Sequence, residues 1–308
     1  MNKLKFGWFC NFVGIVGKII FLEALFMDNK IIGVVGAGTM GQGVAQRFAA
    51  NGFSVILVDI DDDVIKNAEK ETIRSLKMQN VFGGKQYDVD AVMSRIVFTL
   101  SYDKLSEADF VVENVPEIRE LKYEVYGKLS SICKEECIFM VNTSCISITD
   151  IGGKTDRDDK VIGVHFMNPV ILKNFSEVIA GLKTSAETIE SVRHLLSLVG
   201  ISCEVINDNP GFVSNRLSHI FMNEAVSLVQ EGVATAEQID SIFRNGFGHT
   251  MGPLQTADLI GLDVVVNSLE ELVDAYHDSK YNPCPLLRRM VSAGMLGRKS
   301  GQGFYKYK

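Results

Sequence analysis

Between Lys30 and Asp59 the chain reads KIIGVVGAGTMGQGVAQRFAANGFSVILVD, and this stretch restricts the rest more than any other. Ile31 to Val35 is a short β-branched run that suits a buried strand better than a helix. It leads directly into Gly36-Ala37-Gly38-Thr39-Met40-Gly41, a G-x-G-x-x-G turn, with a helical pattern behind it. Such a hexapeptide alone is weak, because glycine-rich turns are common; its place between strand and helix makes it a candidate dinucleotide site. The first glycine permits the tight turn, the second lets backbone approach a pyrophosphate, and the third lets helix pack on strand. Thr39 and Met40 then open a helix whose free N–H groups point at the phosphates. A second apolar run, Ser54 to Val58, ends on Asp59, where a carboxylate accepts hydrogen bonds from ribose hydroxyls. That acid repels a 2′-phosphate, and Ile60-Asp61-Asp62-Asp63 supplies no arginine, so the expected cofactor is NAD rather than NADP.

A chain of 308 residues suggests two domains, and its 46% hydrophobic and 22% charged content is that of an ordinary globular protein. A net charge of −7 argues against a nucleic-acid partner. The six cysteines are scattered without C-x-x-C or any Cys/His ligand spacing, so no metal site is expected. Free thiols in a reducing cytoplasm are the simplest reading, with Cys133 and Cys137 on one face of a helix end. Residues 1–26 are apolar and aromatic. Lys18 and Glu23 interrupt the run, and Met27-Asp28-Asn29-Lys30 leads at once into the first strand as a start codon would. An upstream start artefact is therefore the first reading of 1–26, with a membrane or partner-binding helix as the other.

The expected fold class is α/β: a Rossmann NAD-binding domain over residues 27–206 with an inserted helical hairpin, followed by an all-α domain over 207–308. The hairpin runs from Val64 to Gln79, breaks at Gly83-Gly84 and resumes at Val89 to Met93. Ile96 to Thr99, Phe110 to Glu113, Cys137 to Val141 and Val161 to His165 read as strands, with a helix from Ile118 to Cys133. Glu117 and the cluster Asn142-Thr143-Ser144 follow the carboxyl ends of strands, the edge where open α/β sheets bind ligands. A linker begins at Ile206-Asn207, and helices are expected over Val213 to Gly232, Ala236 to Phe243, Leu254 to Tyr276 and Leu286 to Ala293. Such a helical domain commonly supplies a homodimer interface.

Of the five histidines, His165 alone stands at the end of a strand on that edge. Removing a hydroxyl proton during hydride transfer suits an imidazole near neutral pH, above all one held by a carboxylate. Glu177 lies in the alternating stretch Phe175-Ser176-Glu177-Val178-Ile179, and two antiparallel neighbours would bring it to His165. A satisfied core histidine is the competing reading. His194, His219, His249 and His277 are expected at the surface or in caps.

From about Asn29 to Lys308 the chain resembles the short-chain L-3-hydroxyacyl-CoA dehydrogenases, including the bacterial 3-hydroxybutyryl-CoA dehydrogenases. The resemblance is carried by GAGTMGQGVAQ, VVENVPE, NTSCISIT, GVHFMNPV, NDNPGFVSNR, NEAVSLVQEGVAT, MGPLQTADLIGLD and SKYNPCPLLRRMVSAGMLGRKSGQGFYKY. It implies that His165 is the general base and Glu177 its partner. It implies further that Ser144 and Asn215 hold the substrate, and that Glu117 and Lys122 contact the nicotinamide half of the cofactor. Asn142, on the same edge, is a further expected contact. The implied reaction is oxidation of an (S)-3-hydroxyacyl thioester to the 3-ketoacyl thioester with NAD, or its reverse.

Two departures bear on the substrate. Ile171-Leu172-Lys173-Asn174-Phe175-Ser176 lacks the proline and displaces the lysine usual in the family beside the site. The hairpin turn Val81-Phe82-Gly83-Gly84-Lys85 lacks the family's basic run, although Lys66, Lys70, Arg74 and Lys77 remain to meet CoA phosphates. An acyl group borne on an acyl-carrier protein is thus one alternative, a non-catalytic NAD-binding homologue a second, and a dehydrogenase of another small hydroxy acid a third.

Overall fold

The computed structural model describes residues 30–83 and 86–307, so the apolar extension over 1–26 and Gly84-Lys85 of the hairpin turn lie outside the described residues. The chain forms two compact units. One holds the described residues up to Thr143 together with Ser147–Asp208; the other holds Ser144–Ile146 and the residues from Asn209 on.

The first unit is built on an eight-stranded sheet. Its strands are β1 (Ile31–Val35), β2 (Ser54–Val58), β3 (Ile96–Thr99), β4 (Phe110–Glu113), β5 (Ile138–Val141), β6 (Val161–Phe166), β7 (Phe175–Ala180) and β8 (Ser202–Asn207). The order is β3-β2-β1-β4-β5-β6-β7-β8. The first six run parallel, β7 pairs antiparallel to β6, and β8 pairs parallel to β7. The order reverses between β1 and β4, which places a crevice at their carboxyl ends. Buried on both faces, β1, β2, β4 and β5 read as continuous apolar runs. Ile32, Val34, Leu57, Val112, Met140 and Val164 pack there against Val44 and Phe48 of helix α1 (Thr39–Ala50) and Leu195 and Leu196 of a later helix.

The hairpin is α2 (Asp62–Phe82) and α3 (Val89–Met93). Asp61 caps α2 by accepting from the N–H groups of Asp63 and Val64 at 2.8 and 3.4 Å. Helix α4 (Arg119–Ile132), α5 (Ile148–Gly152) and α6 (Ala186–Leu198) complete the unit. Three local expectations are corrected. Helix α4 stops at Ile132, so Cys133 caps it while Cys137 lies beyond the helix, donating its N–H to Lys134 O at 3.0 Å just ahead of β5. Ile206 and Asn207, read as the start of a linker, are the last residues of β8, where they pair with Ile179 and Ala180. In the second unit, Leu254 to Tyr276 is two helices instead of one, because Gly261 at φ +109° ends the first.

That unit packs α7 (Ser214–Gln230), α8 (Ala236–Phe247), α9 (Pro253–Ile260), α10 (Leu262–Tyr276) and α11 (Pro285–Ser292) around Met222, Val226, Leu254, Val265, Leu269 and Leu287. Helix α8 begins with a capping box between Thr235 and Gln238. No helix among the described residues is long and apolar enough to cross a membrane.

Candidate active site

At the carboxyl edge of β1 the three glycines differ in what surrounds them. Gly36 has φ +89°, and a Cβ there would lie 2.8 Å from Asn114 O. Gly38 faces open space, with nothing within 4 Å of an added Cβ. At Gly41 a Cβ would fall 1.8 Å from Gly36 O. One glycine makes the turn, one leaves room for a close approach, and one lets α1 sit on the turn. Gly38 is the N-cap of α1 and no side chain caps it, so the first N–H groups, those of Thr39 and Met40 included, keep their polarity for an anion. The loop is braced by Gly36 N–H donating to Val58 O at 2.8 Å and by Ala37 N–H donating to Asp59 Oδ2 at 2.7 Å. Asp59 Oδ1 accepts from Ile60 N–H at 2.7 Å. Oδ1 also accepts from Asp61 N–H at 3.2 Å, whereas Oδ2, with one donor, keeps a second lone pair that suits the acid to a ribose hydroxyl. A dinucleotide fits this cradle on geometric grounds.

Next along the edge, Lys122 on α4 is fully buried and its ammonium donates to both carboxylate oxygens of Glu113 at 2.9 Å and to Asn142 O at 3.1 Å. Glu117 Oε2 stands 3.5 Å from the same ammonium, and Thr143 donates its hydroxyl to Glu117 Oε1. Asn142 donates to Asn114 Oδ1 at 2.7 Å and accepts from Phe166 N–H at 3.4 Å, so it joins the ends of β4, β5 and β6. Glu113 was not singled out from sequence. Burial pushes its carboxyl pKa up, while the Lys122 charge and the Val115 N–H at 2.6 Å work in the other direction. Its signal was an acid ending the apolar run FVVE, nine residues before a lysine on the following helix.

His165, the fifth residue of β6, lies directly opposite Glu177 of β7 in the antiparallel register. Nδ1 and Glu177 Oε2 are 2.9 Å apart, with the His165 side chain 13% exposed. Buried neighbours Val164, Phe166 and Val178 surround the pair along the strands. Strand pairing fixes both Cα positions, so the contact needs no flexible loop.

Within the second unit, Asn215 in the first turn of α7 donates Nδ2–H to Ser144 O at 3.1 Å. The structure therefore brings these two sequence candidates together through the serine backbone. One turn on, His219 is buried rather than at the surface or in a cap, and its Nδ1 bonds Asn215 O at 2.7 Å. Burial lowers its pKa, which keeps the ring neutral.

Of the four cations on α2 expected to meet CoA phosphates, Lys66 and Arg74 are engaged by acids of their own helix. Lys66 is ion-paired with Asp62, and Arg74 stands 3.4 Å from Glu71. Arg74 also lines a cleft of about 420 Å³ with Met78, Phe82, Ile171 and Leu172, whereas Lys66 does not.

Two family models match nearly all of the described chain: 3-hydroxyacyl-CoA dehydrogenase, NAD binding domain, over residues 31–209, and 3-hydroxyacyl-CoA dehydrogenase, C-terminal domain, over 211–307. A probable 3-hydroxybutyryl-CoA dehydrogenase of Bacillus subtilis is 43% identical over 282 residues, which is 91% of this chain and 98% of that one. The 3-hydroxybutyryl-CoA dehydrogenase of Bradyrhizobium diazoefficiens is 39% identical over 91% of this chain and 96% of its own. The crystal structure of (S)-3-hydroxybutyryl-CoA dehydrogenase from Ralstonia eutropha superposes with a TM-score of 0.88 at 39% identity, covering 91% of this chain and 99% of that one. With its nucleotide cradle, its paired strands and these relatives together, the chain belongs to the 3-hydroxyacyl-CoA dehydrogenase family.

Proposed function

We propose that the protein interconverts (S)-3-hydroxyacyl-CoA and 3-ketoacyl-CoA, with His165 as the base. The observation that carries this assignment is the 2.9 Å contact between His165 Nδ1 and Glu177 Oε2 at the ligand edge of the sheet. With Nδ1–H donating to the carboxylate, the neutral ring carries its lone pair on Nε2, the nitrogen that takes the hydroxyl proton of the substrate. Glu177 stabilises the imidazolium as the C–O bond becomes a carbonyl. Gly36, Gly38, Gly41 and Asp59 would hold NAD, which when bound would accept the hydride. Glu117 and Asn142, both contacted by the buried ammonium of Lys122, would meet the nicotinamide half of the cofactor. Ser144 and Asn215 hold the two substrate oxygens, which limits the substrate to poses from which transfer occurs.

The full chain is expected to oxidise NADH in the presence of acetoacetyl-CoA, followed by loss of NADH absorbance. No turnover with NADH binding intact would remove the CoA-dehydrogenase assignment. A second reading, the same chemistry on a carrier-protein thioester, is supported by the hairpin turn Val81-Phe82-Gly83-Gly84-Lys85, whose sequence lacks the family's basic run for CoA phosphates. Higher kcat/KM on the carrier-borne thioester than on the CoA thioester would select it. A homodimer is part of the proposal: α8, α9 and α10 expose Ile242, Phe247, Leu259, Ile260 and Val264, apolar side chains that a second copy would cover. Light scattering on the purified chain tests this.

A further inference from the structure

Arg47, in the last turn of α1, has no part in the chemistry above, yet its guanidinium is bonded on every nitrogen. Nε donates to Val199 O at 2.8 Å, Nη1 to Ile171 O at 3.3 Å, and Nη2 to both Gly200 O at 2.9 Å and Asn174 Oδ1 at 2.8 Å. None of these acceptors is a carboxylate. They belong to two connections: Ile171 and Asn174 to the β6–β7 loop, Val199 and Gly200 to the turn between α6 and β8. Asn174 is tied a second time, its carbonyl accepting from Ser202 N–H and from Ser202 Oγ–H, each at 2.9 Å. Within the loop, Pro169 O accepts from Leu172 and Lys173 N–H, each at 3.0 Å.

The loop between the base and its carboxylate is therefore held from outside the sheet by α1. Ladder pairing with β6 stops at Phe166↔Ser176 and Ser202 of β8 reaches the loop at Asn174, so the strands do not place Ile171 and Leu172. Helix α1 also touches the loop directly, since a Cβ at Gly43 would lie 3.2 Å from Val170 Cβ. What the clamp places is the pair Ile171 and Leu172, which faces Met78 and Phe82 across the 420 Å³ cleft. Lys70, Arg74 and Lys77 lie on the same α2 surface as Met78 and Phe82. A thioester with its carbonyl at His165 and its phosphates near those cations would run its arm along this cleft. That route rests on the proposed function.

We propose that Arg47 is a positioning residue for the pantetheine arm of the thioester: by fixing the β6–β7 loop it sets the Ile171–Leu172 wall of the cleft, and it leaves the His165–Glu177 contact to strand pairing. The guanidinium fork suits this geometry, because its three nitrogens spread donors over four acceptors, whereas an ammonium offers three donors from a single point.

The experiment compares full-chain wild type with Arg47→Met and Asn174→Ala on two substrates, acetoacetyl-CoA and the acetoacetyl thioester of N-acetylcysteamine, which lacks most of the arm. For Arg47→Met, KM for acetoacetyl-CoA is expected to rise roughly tenfold with kcat within about twofold, and kcat/KM on the truncated thioester to stay unchanged. Asn174→Ala, which removes one acceptor, should give about a threefold rise with the same selectivity. KM for NADH should not move in either variant. An equal loss on both thioesters, or a lowered Tm with unchanged KM, overturns the proposal and leaves Arg47 a structural residue. If Arg47→Met does not fold, Asn174→Ala decides by the same ratio between substrates. Wild type inactive on both thioesters refutes the dehydrogenase assignment itself. Active wild type with indifferent variants refutes only the clamp.

Discussion

The two units bury their carboxylates for different purposes. In the first, Glu113 faces the Lys122 ammonium and Glu177 faces the His165 ring. In the second, Asp240 and Asp258 are fully buried and engage backbone and phenol donors. Asp240 accepts from Leu254 and Gln255 N–H at 2.9 Å and from Tyr305 O–H at 2.7 Å. Asp258 accepts from Phe304 N–H at 3.0 Å and from Tyr305 N–H and Tyr307 O–H at 2.9 Å, so together the two acids fasten the C-terminal segment. A carboxylate saturated by N–H and O–H donors is a fixture. One set against an imidazole stabilises whichever ring form carries the extra proton, and that is chemistry. Within the first unit the same division recurs, because the Lys122–Glu113 pair is sealed while His165 keeps partial access.

The sharpest way to break this comparison is at the proposed base. His165→Gln should lower kcat by about 10³–10⁴-fold while NADH binding, read by fluorescence, stays intact. A loss below tenfold would make His165 a core histidine. Next is the sealed pair: Lys122→Met leaves Glu113 as an unpaired buried charge and should destabilise the protein by about 3–5 kcal/mol in urea unfolding. Adding Glu113→Gln should recover much of that loss, and failure to recover would mean that the lysine acts through something other than the pair. Glu177→Gln should reduce kcat by about 10²-fold with little change in unfolding midpoint, the opposite balance to Lys122→Met. Asp258→Asn replaces an acceptor of three bonds with an amide that must present an N–H to one donor, at a cost of about 2 kcal/mol and no change in KM for NADH.

The smallest expected effects separate the units by pH. Burial, with the Asp258 hydrogen bond, pushes the Tyr307 phenol up to about 12. A group raised above its unfolded value stabilises fully below that value, near ~10, and the contribution fades as pH climbs toward the folded value. Asp109 behaves oppositely. Burial works to raise it, but Lys134 at 2.8 Å, Ile31 N–H at 2.8 Å and Lys30 at 3.1 Å outweigh burial and hold it below the usual carboxylate value. Its contribution is present above ~4 and lost as pH falls through the depressed value. Hydrogen exchange should show the C-terminal segment loosening first on the alkaline side and the start of β1 first on the acid side. The same segment loosening first at both extremes would erase the distinction.

Much of this was legible in the linear chain. The apolar runs of β1, β2 and β4, the glycine turn and the acid that braces it are local patterns, since a strand buried on both faces must be apolar and a tight turn must be glycine. His165 and Glu177 stood out because each ends or crosses a strand-like stretch, and the antiparallel register places them opposite one another. The split at Gly261 was missed because helical spacing continues on both sides of it, and only the φ of +109° reveals the break. Strand β8 was missed because it is an edge strand with exposed residues, so its sequence lacks the alternation that burial imposes.

What the sequence determined by itself is thus whatever depends on neighbours in the chain: the strands, the nucleotide turn, the helix caps and the chemical types at the ligand edge. Tertiary structure alone decided the bonds between distant residues: Glu113 with Lys122, Arg47 across two loops, Asp240 and Asp258 on the C-terminal segment, and His219 buried behind Asn215. These depend on desolvation, which makes a polar group seek whichever partner the fold brings within reach, and no local pattern records which partner that is.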